Sequence, residues 1–424
     1  MTKKRIIAGI ELGSSKIATV IAQIQTDQIS FIREISIVGV SSVESRGIKK
    51  GQIVNIEEAV EAIITSVEGA ERMAGYNLDN AFVSIGGAHV SSQNSHGVVA
   101  VSDPEGEISA NDVDRVIEAA SAISLPSSRD LIHIIPREFI VDGESGVKDP
   151  IGMSGVRLEV QTHLITASAA STKNIKKAVK EVGINVNELV FSGLAAGEAV
   201  LTKTEKELGC VLIDIGGGTT SIATYIDGGL IYSGVLPIGA NNITNDLAIG
   251  LRVSLESAEK IKLLLSDYEQ KRKKSKEDGG DEIDLQALGI SDNKKVSKKT
   301  LTEGIIRPRL NEIFTMVRLQ LDKENLGSRI PSGAILTGGG AETVGIIDSA
   351  KRMLALPVRV GKPKGITGLI DDIINPQFAN PVGLIVYGAN QEIVDQPSSF
   401  ASKLKLPTKG VAGKIIKIFK DLLP

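Results

Sequence analysis

Two short segments of the chain, about two hundred residues apart, follow one pattern. Residues 6–20 form an apolar stretch that ends beside Glu11, then a short polar tip and a second apolar stretch. Residues 211–224 repeat this order, with Asp214 ahead of the tip. The pattern predicts two β-hairpins whose tips contain Gly13, Ser14, Ser15 and Lys16 in the first and Gly216, Gly217, Gly218, Thr219 and Thr220 in the second. Glycine lets backbone N–H groups approach an anion closely, and the hydroxyl groups add donors.

The acidic residue before each tip is poorly suited to binding phosphate by itself. Glu11 and Asp214 fit instead a divalent cation that is held through its water shell between the two loops. Lys16 would add positive charge over the terminal phosphates. Two such hairpins facing each other would clamp a nucleoside triphosphate together with its metal. For the first tip taken alone, an ordinary hairpin turn remains the alternative.

Composition narrows the class of protein. A chain of 424 residues, with 42% hydrophobic and 23% charged residues, is typical of a soluble α/β protein with more than one domain. The net charge of −3 and the lack of Trp disfavour a nucleic-acid-binding protein. The single Cys210 reads as a small buried hydrophobe, and the scattered His89, His96, His133 and His163 read as structural residues. No signal peptide or membrane-spanning run is predicted, so we expect a cytoplasmic location.

The predicted elements fall into two halves, each opened by one hairpin. The first half contains predicted helices over 55–74 and 171–182, predicted strands over 81–86, 158–167 and 186–191, and an apparent inserted module over 87–157 with a helix near 111–123. In the second half a helix runs from Asn245 to about Ser266, and a second helix over 301–321 is kinked or broken by Pro308. A strand over 334–337 leads into Gly338, Gly339 and Gly340, and a helix near Ala341 would turn its N-terminus toward the ligand.

The order of these three glycine loops resembles the actin, hexokinase and heat-shock-chaperone superfamily of ATP-binding folds. Neither a Walker loop nor a Rossmann fingerprint is present. Within the superfamily, the chain resembles the FtsA family of bacterial actin-like cell-division proteins, from residue 5 to about residue 392 and again at the extreme C-terminus. The most specific stretches are 46–54 (RGIKKGQIV), 70–75 (AERMAG), 83–90 (VSIGGAHV) and 149–158 (DPIGMSGVRL).

This resemblance implies an α/β, actin-like fold with two lobes, each a mixed β-sheet flanked by helices, plus an inserted α+β subdomain and a C-terminal amphipathic helix. It implies a first-lobe core over 1–82, 161–194 and 357–393, with the inserted subdomain over 83–160. The second-lobe core would cover 195–239 and 306–356, and a small second-lobe subdomain 240–305, including the mixed-charge tract 269–299. A linker over 394–410 would precede the terminal helix over 411–424.

The resemblance also implies roles for individual residues. The two hairpin tips match phosphate loops for ATP and Mg²⁺, and Gly338, Gly339 and Gly340 match the adenosine motif. Glu259 and Lys262 match a pair that contacts ribose and adenine, although a solvated helix face is the alternative. Glu198 falls near the position that orients the attacking water, again with a structural alternative. Glu11 stands where the superfamily usually has Asp, and its side chain is one methylene group longer. We still expect ATP to bind, but the rate of ATP hydrolysis does not follow from the resemblance.

The C-terminal residues 411–424 form an amphipathic pattern. On a helical wheel, one continuous apolar arc includes Ile415, Ile416, Ile418, Phe419, Leu422 and Leu423, and the opposite arc includes Lys414, Lys417 and Lys420. An apolar face opposite lysines, behind a linker, is typical of a helix that lies in the plane of an anionic membrane. A terminal helix that docks on its own core is the alternative.

The resemblance implies a protein that self-associates into filaments on the cytoplasmic face of the cell membrane at the division septum. There it would anchor the tubulin-like FtsZ through the FtsZ C-terminal tail and help to recruit later division proteins. Arg309 and Glu312 are the candidate contacts for that tail, with an internal salt bridge as the alternative. ATP would be turned over slowly at most. Two other classes of protein remain as alternatives. One is an ATP-binding adaptor for pilus assembly with a similar fold, and the other is a small-molecule kinase of the same superfamily.

Overall fold

The structure is a computed structural model that describes residues 3–26, 33–275, 280–286, 295–369 and 373–391. The chain divides into two units, Met1–Gly388 and Ala389–Pro424, and the sheets and the cavity described below belong to the first. The predicted linker and the predicted amphipathic helix over 411–424 lie outside the described residues. Among the described residues, no helix is both long and apolar enough to cross a membrane.

The chain opens with the first predicted hairpin. The elements of this region are β1 (Lys3–Leu12), β2 (Lys16–Thr26), β3 (Arg33–Glu44), β4 (Ile48–Lys49), β5 (Gln52–Ile53), α1 (Ile56–Ala74) and β6 (Asn80–Ile85). Strands β1 and β2 pair antiparallel up to the pair Leu12 and Ile17, so the turn lies within the predicted residues 13–16, of which Lys16 already belongs to β2. The predicted helix over 55–74 is confirmed: Asn55 caps α1 through its side chain, and Gly75, at φ 72°, ends it.

The inserted module is a four-stranded antiparallel sheet covered by one helix. Its elements are β7 (Ser91–Ala100), α2 (Ala110–Ser121), β8 (Arg129–Val141), β9 (Glu144–Val147) and β10 (Arg157–Ser168), with strand order β7-β10-β8-β9. Buried apolar side chains such as Val116, Phe139 and Leu158 form a core of its own. Strand β10 crosses position 160 without a break and pairs with both neighbours, so this sheet extends to Ser168.

The chain then returns to the first lobe and enters the second. The next elements are α3 (Ala169–Glu181), β11 (Asn185–Phe191), α4 (Ser192–Val200), α5 (Lys203–Leu208), β12 (Cys210–Ile215), β13 (Thr220–Ile226) and β14 (Gly229–Leu236). Strands β12 and β13 pair antiparallel from Cys210 and Tyr225 to Ile215 and Thr220, which confirms the second predicted hairpin. Both strands are buried along their whole length, because sheet neighbours and helices cover their two faces.

The single helix predicted from Asn245 to about Ser266 is wrong. Two helices cover this region, α6 (Ala240–Leu251) and α7 (Leu255–Ser275). Arg252 adopts the left-handed conformation at φ 58° and ends α6. The Ser254 hydroxyl then accepts a hydrogen bond from the backbone N–H of Ser257 and caps α7. A serine N-cap competes with helix continuation, and the apolar periodicity on both sides of it concealed the break.

The end of the second lobe is largely helical. After β15 (Glu282–Asp284) and β16 (Lys295–Ser297) come α8 (Lys298–Leu301), a π-helical turn over Thr302–Ile306, and α9 (Arg307–Lys323). Pro308 lies in the first turn of α9, directly after the π-helical turn. The predicted interruption at Pro308 is therefore confirmed as a change of helix type just before it.

The last elements complete both sheets. They are β17 (Ala334–Thr337), a 3₁₀ turn (Gly339–Glu342), α10 (Ile346–Leu354), β18 (Val358–Val360), β19 (Thr367–Gly368), a second 3₁₀ turn (Pro376–Phe378) and α11 (Ala379–Asn390). The helix predicted to begin near Ala341 is wrong: a 3₁₀ turn follows the third glycine loop, and α10 starts only after Gly345, at φ 76°. The sheet orders are β11-β6-β1-β2-β3-β19 and β14-β13-β12-β17-β18, so β18 joins the second-lobe sheet.

Candidate functional site

The two hairpin tips and the third glycine loop meet around one cavity of about 480 Å³. From the first tip, Glu11 and residues 13–16 line it; from the second, Asp214, Gly216, Gly217 and Thr219 do so. The third loop contributes Gly338, Gly339 and Gly340, and α7 contributes Glu259 and Lys262. The structure thus brings together predicted site residues from three loops and one helix, which are separated by more than three hundred positions in the sequence.

The two tips touch each other. A Cβ atom placed on Gly217 would lie 2.8 Å from the Cβ atom of Ser15, and one placed on Gly218 would lie 3.0 Å from that of Ser14. Glycine is needed at these positions because the tips approach too closely for a side chain. Gly218 therefore packs against Ser14 of the other loop and does not line the cavity. Thr220 also lies outside it, since its hydroxyl donates to the carbonyl oxygen of Ile238 at 2.8 Å.

The acidic residues of the two hairpins lie in the floor of the cavity. Burial, and next the charge of Glu11, raise the pKa of Asp214 to about 7. Burial likewise raises the pKa of Glu11, against the opposing effect of Lys16. Glu11 Oε2 lies 3.5 Å from Lys16 Nζ and accepts no hydrogen bond of good geometry from any described residue. Two repelling, buried carboxylates of this kind are stabilised by a positive charge between them.

This pair fits a hydrated divalent cation. The described residues contain no group of three or more His, Cys, Asp or Glu side chains that could hold a metal ion directly. Mg²⁺ usually keeps several of its waters and takes one or two carboxylates together with phosphate oxygens. Glu11, with its unsatisfied oxygen, and Asp214 match that requirement.

The third glycine loop packs directly on the second hairpin. Gly338 has φ 80°, and any Cβ atom there would collide with Asp214 Oδ1 and the backbone of Ile215. Its N–H group donates to the carbonyl oxygen of Pro376 at 3.1 Å. The loop therefore needs glycine for two reasons, the left-handed conformation and the close approach to the acid of the second hairpin.

Glu259 and Lys262 form an ordered network at another part of the cavity. Lys262 Nζ lies 2.7 Å from Glu259 Oε2, and both side chains hydrogen-bond to the hydroxyl of Thr244 on α6. Lys262 is only 6% exposed. Lysine is seldom buried to this degree unless it is paired. The Glu259 side chain is 41% exposed, and the contact of this pair with ribose and adenine stays a prediction.

The cavity also contains residues that sequence reasoning missed. Asn375, Gln377 and Asn380 line it from the segment before and at the start of α11. Asn380 Nδ2 donates to Glu11 Oε1 at 3.4 Å, and the N–H group of Gly51 donates to the Ser14 hydroxyl at 3.0 Å. Residues 46–54, which include Gly51, belong to a stretch that resembles the family. No pattern in the neighbouring sequence predicts that Gly51 lies beside the first tip. The side-chain amides of Asn375, Gln377 and Asn380 belong to no sequence motif. Only the packing of distant segments in the folded chain brings them to the cavity.

Glu198 and Arg309 lie elsewhere. Glu198 Oε1 forms an ion pair with Lys206 Nζ at 2.7 Å and is not among the described residues that line the cavity. Glu198 is thus part of an ion pair outside the cavity, the kind of position that its structural alternative requires. Arg309 is held by Asp246 at 2.6 and 2.8 Å and also contacts Glu312, so the internal salt bridge is present.

Of the four histidines expected to be structural, His163 makes two side-chain contacts. His163 Nδ1 lies 2.8 Å from Asn94 Oδ1, and its Nε2 lies 3.0 Å from the Ser233 hydroxyl. Burial, and then the nearby Arg137, lower the pKa of His163 to about 3. Because β10 carries His163 and β14 carries Ser233, this contact joins the inserted module to the second-lobe sheet.

Comparison with solved structures identifies the architecture. The PilM-PilN type IV pilus biogenesis complex matches with a TM-score of 0.63 at 16% identity, over 91% of this chain and 99% of that one. MreB 5 of Spiroplasma citri bound to AMPPNP matches with a TM-score of 0.50 at 13% identity, over 90% and 96%. At these identities the likeness concerns the fold alone, and it confirms the expected actin-like fold with two lobes.

Comparison of sequences identifies the family. The model described as "SHS2 domain inserted in FTSA" matches residues 87–166, and the model "Cell division protein FtsA" matches residues 211–383. Proteins named cell division protein FtsA are 38% identical in Borreliella burgdorferi (96% of each chain), 36% in Pseudomonas aeruginosa (92% of this chain, 90% of that one) and 33% in Escherichia coli strain K12 (92% of each). The chain belongs to the FtsA family of cell-division proteins.

Proposed function

We propose that the cavity between the two hairpins binds ATP together with Mg²⁺, and that the chain uses this nucleotide as a latch between its lobes. The observation that carries the proposal is the contact between the tips, with Gly217 against Ser15 and Gly218 against Ser14. Backbone N–H groups and hydroxyls from both tips would converge on the phosphates, as in other glycine-rich anion sites. A ligand that both tips hold would fix the lobes relative to each other.

Each part of the ligand has candidate partners. Lys16 would place a positive charge near the terminal phosphates. Glu11 and Asp214 would hold Mg²⁺ through its waters, and the ion would neutralise phosphate charge that the two carboxylates otherwise repel. Glu259 and Lys262 would contact the ribose and adenine, beside Gly338, Gly339 and Gly340.

We further propose that bound ATP is hydrolysed only slowly, so that it stays intact in the cavity for most of the time that it is bound. The charged group once expected to orient water, Glu198, is paired with Lys206 away from the cavity. The amides that line the cavity beside the first hairpin, Gln377 and Asn380, carry no charge and are weak proton acceptors. Slow turnover suits a nucleotide whose role is to hold a filament-competent conformation.

Membrane attachment would come from the residues 411–424. Their apolar arc and the lysines opposite it suit a helix in the plane of an anionic membrane, on the cytoplasmic face at the division septum. About five large apolar side chains, partly immersed, give several kcal/mol at ~1.5 kcal/mol each, and lysines near the surface add ~1 kcal/mol each. Folding the helix opposes both terms, so a single tail binds reversibly. A filament that presents many tails binds far more tightly through effective concentration.

The partner in division would be FtsZ, with later division proteins following. By resemblance, the small second-lobe subdomain would receive the FtsZ C-terminal tail, at a surface that includes Arg309 and Glu312. Arg309 suits this role because a guanidinium group can bind a carboxylate through two parallel hydrogen bonds. The chain would then link the FtsZ ring to the membrane as a filament of its own copies.

Electron microscopy on lipid monolayers tests nucleotide, filament and tail together. We expect the full chain to form filaments on monolayers with anionic lipid when ATP and Mg²⁺ are present, and few without them. A chain ending at residue 410 should bind no monolayer, whereas its ATP affinity should be unchanged. A variant with Lys414, Lys417 and Lys420 changed to Gln is the matched control, and it should lose binding to anionic lipid in part. Equal membrane binding with and without residues 411–424 would contradict the proposal.

A further inference from the structure

The short hairpin before α1 ends in a tight turn of two residues, Lys50 and Gly51, here named the β4–β5 turn. Strands β4 and β5 pair up to Lys49 and Gln52, which leaves only these two residues between them. Both have positive φ, 48° for Lys50 and 72° for Gly51, as a two-residue turn of type I′ requires. A lysine costs free energy in this conformation, because its Cβ atom crowds the backbone. Contacts around the turn must therefore hold it in place.

One side of the β4–β5 turn packs on the segment that leads from β6 into the inserted module. A Cβ atom on Gly51 would lie 2.2 Å from the carbonyl oxygen of Gly86 and 2.9 Å from the Cα atom of Gly87. These are backbone atoms, which cannot move aside as the end of a long side chain can. Gly51 is therefore needed for its lack of a side chain as well as for its left-handed conformation.

The other side of the β4–β5 turn touches both hairpin tips. The N–H group of Gly51 donates a hydrogen bond of 3.0 Å to the Ser14 hydroxyl of the first tip. A Cβ atom on Gly218 of the second tip would lie 3.0 Å from Ser14 Oγ and 3.3 Å from the backbone nitrogen of Lys50. The turn thus meets the two tips at the point where they touch each other, and Gly51 and Ser14 both line the cavity.

The direction of this hydrogen bond restricts what the Ser14 hydroxyl can do. A hydroxyl group has one hydrogen to donate and two lone pairs that accept. Ser14 Oγ uses a lone pair for the Gly51 N–H group and makes no other hydrogen bond to the residues that the structure describes. Its hydrogen therefore remains available at the wall of the cavity. The neighbouring Ser15 is exposed, and its hydroxyl is held by no described residue.

We propose that Gly51 is a positioning residue of the nucleotide site: its N–H group holds the Ser14 hydroxyl as an acceptor, so that this hydroxyl donates its own hydrogen to a phosphate oxygen. The β4–β5 turn is then a third loop of the site, and it orders a contact that another residue makes. A hydroxyl fixed before the ligand arrives loses less freedom on binding. One that already accepts a hydrogen bond is also a stronger donor. This inference rests on the proposed binding of ATP.

Calorimetric titrations of Mg²⁺-ATP into single and double variants of the full chain test the positioning role. Ser14→Ala should weaken binding about tenfold, because a hydrogen bond to a charged phosphate oxygen is lost. Gly51→Ala pushes the turn away from Gly86 and should cost about the same. The double variant should bind only about twofold more weakly than either single one, since both changes disable the same contact. Ser15→Ala should instead add its own loss to that of Gly51→Ala.

A matched control comes from just before the same hairpin. Gly47 has φ 70°, and a Cβ atom there would lie 2.2 Å from the carbonyl oxygen of Asn55, a clash as close as the one at Gly51. Gly47 does not line the cavity. Gly47→Ala should therefore lower the stability of the fold to a similar extent, but its ATP affinity should stay within about twofold of the wild type. Thermal unfolding measures the stability of each variant.

Amide hydrogen exchange, measured by mass spectrometry, tests the inference without a substitution in the turn, should Gly51→Ala fail to fold. Exchange over residues 48–54 should be faster in Ser14→Ala than in the wild type, because the Gly51 N–H group loses its acceptor. Mg²⁺-ATP should preserve or increase the protection of this segment in the wild type. Protection that falls on binding ATP would mean that Ser14 leaves Gly51 to reach the phosphate, and it would overturn the inference.

The titrations also separate the inference from the proposed function. If the wild type binds ATP and the losses of Ser14→Ala and Gly51→Ala add in full, only the positioning role of Gly51 is refuted. A Gly47→Ala loss as large as that of Gly51→Ala would refute it as well, since any strain in the hairpin would then suffice. If the wild type binds no ATP, the proposed function fails and the inference fails with it.

Discussion

Lys16 Nζ donates a hydrogen bond of 2.6 Å to the backbone carbonyl oxygen of Gln377. The same ammonium group lies 4.0 Å from the centre of the Phe378 ring and 3.5 Å from Glu11 Oε2. The charge at the first hairpin tip is therefore held in place by the segment before α11, so less side-chain entropy of Lys16 would be lost if a ligand bound there. This arrangement places the first hairpin beside the segment that contains Gln377 and Phe378.

The first prediction concerns the two carboxylates. Glu11→Gln removes the charge that, after burial, raises the pKa of Asp214 toward 7. With one carboxylate left, the cavity gains less from a bound cation, and the advantage of Mg²⁺ for ATP binding should fall about tenfold, or about 1.4 kcal/mol. Calorimetric titration of ATP with Mg²⁺ and with EDTA measures this ratio. The control is Glu44→Gln, an exposed acid on β3 outside the cavity, and an unchanged ratio in Glu11→Gln would refute the prediction.

The second prediction assigns Glu198 to stability. Because Glu198 is paired with Lys206 outside the cavity, Glu198→Gln should leave the ATP turnover rate within twofold of the wild type. The partly buried ion pair should contribute about 1 kcal/mol to the free energy of unfolding. Urea unfolding of Glu198→Gln, Lys206→Met and the double variant measures it, and the two single losses should not add. A turnover rate reduced more than tenfold, with stability intact, would return Glu198 to a catalytic role.

The third prediction concerns acid sensitivity where the inserted module meets the second lobe. Burial lowers the pKa of His163 from its ordinary 6.5 to about 3, so between these values the unfolded chain binds a proton that the folded chain does not. The stability from this group is complete above pH 6.5 and is lost as the pH falls, by up to about 1.4 kcal/mol per pH unit. His163→Gln, which can still bond Asn94 and Ser233, should unfold with a shallower dependence between pH 6.5 and 5. Parallel pH profiles for the two proteins would be the contrary result.

Elements with strong local signals could be predicted from the sequence. The helix α1 has Asn55 at its start and Gly75 at its end, and both hairpins have continuous apolar strands around glycine-containing tips. These features depend on backbone conformations and caps within a few residues of each other. The break between α6 and α7 was missed because a residue other than glycine, Arg252, adopts the left-handed conformation there.

The site was predictable only where its residues form motifs. The glycine-containing hairpin tips and the pair Glu259 and Lys262 are predicted from the sequence, and the fold brings residues from each of them to one cavity. Gln377 and Asn380 could not be found in this way, since they meet the first hairpin through a separation of more than three hundred and sixty positions. The pairing of Arg309 with Asp246 likewise depends on how two helices pack, which no local pattern records.

Calorimetric titration of Mg²⁺-ATP into Gly217→Ala tests the central claim, that the facing tips clamp the nucleotide. The added methyl group would lie 2.8 Å from Ser15 Cβ and would force the tips apart. The matched control is Gly327→Ala, where the nearest atom to the new methyl group, Asp322 Oδ1, is 3.7 Å away. We predict that Gly217→Ala loses at least tenfold in ATP affinity while Gly327→Ala matches the wild type. Equal affinity in all three proteins, with Gly217→Ala folded, would contradict the account.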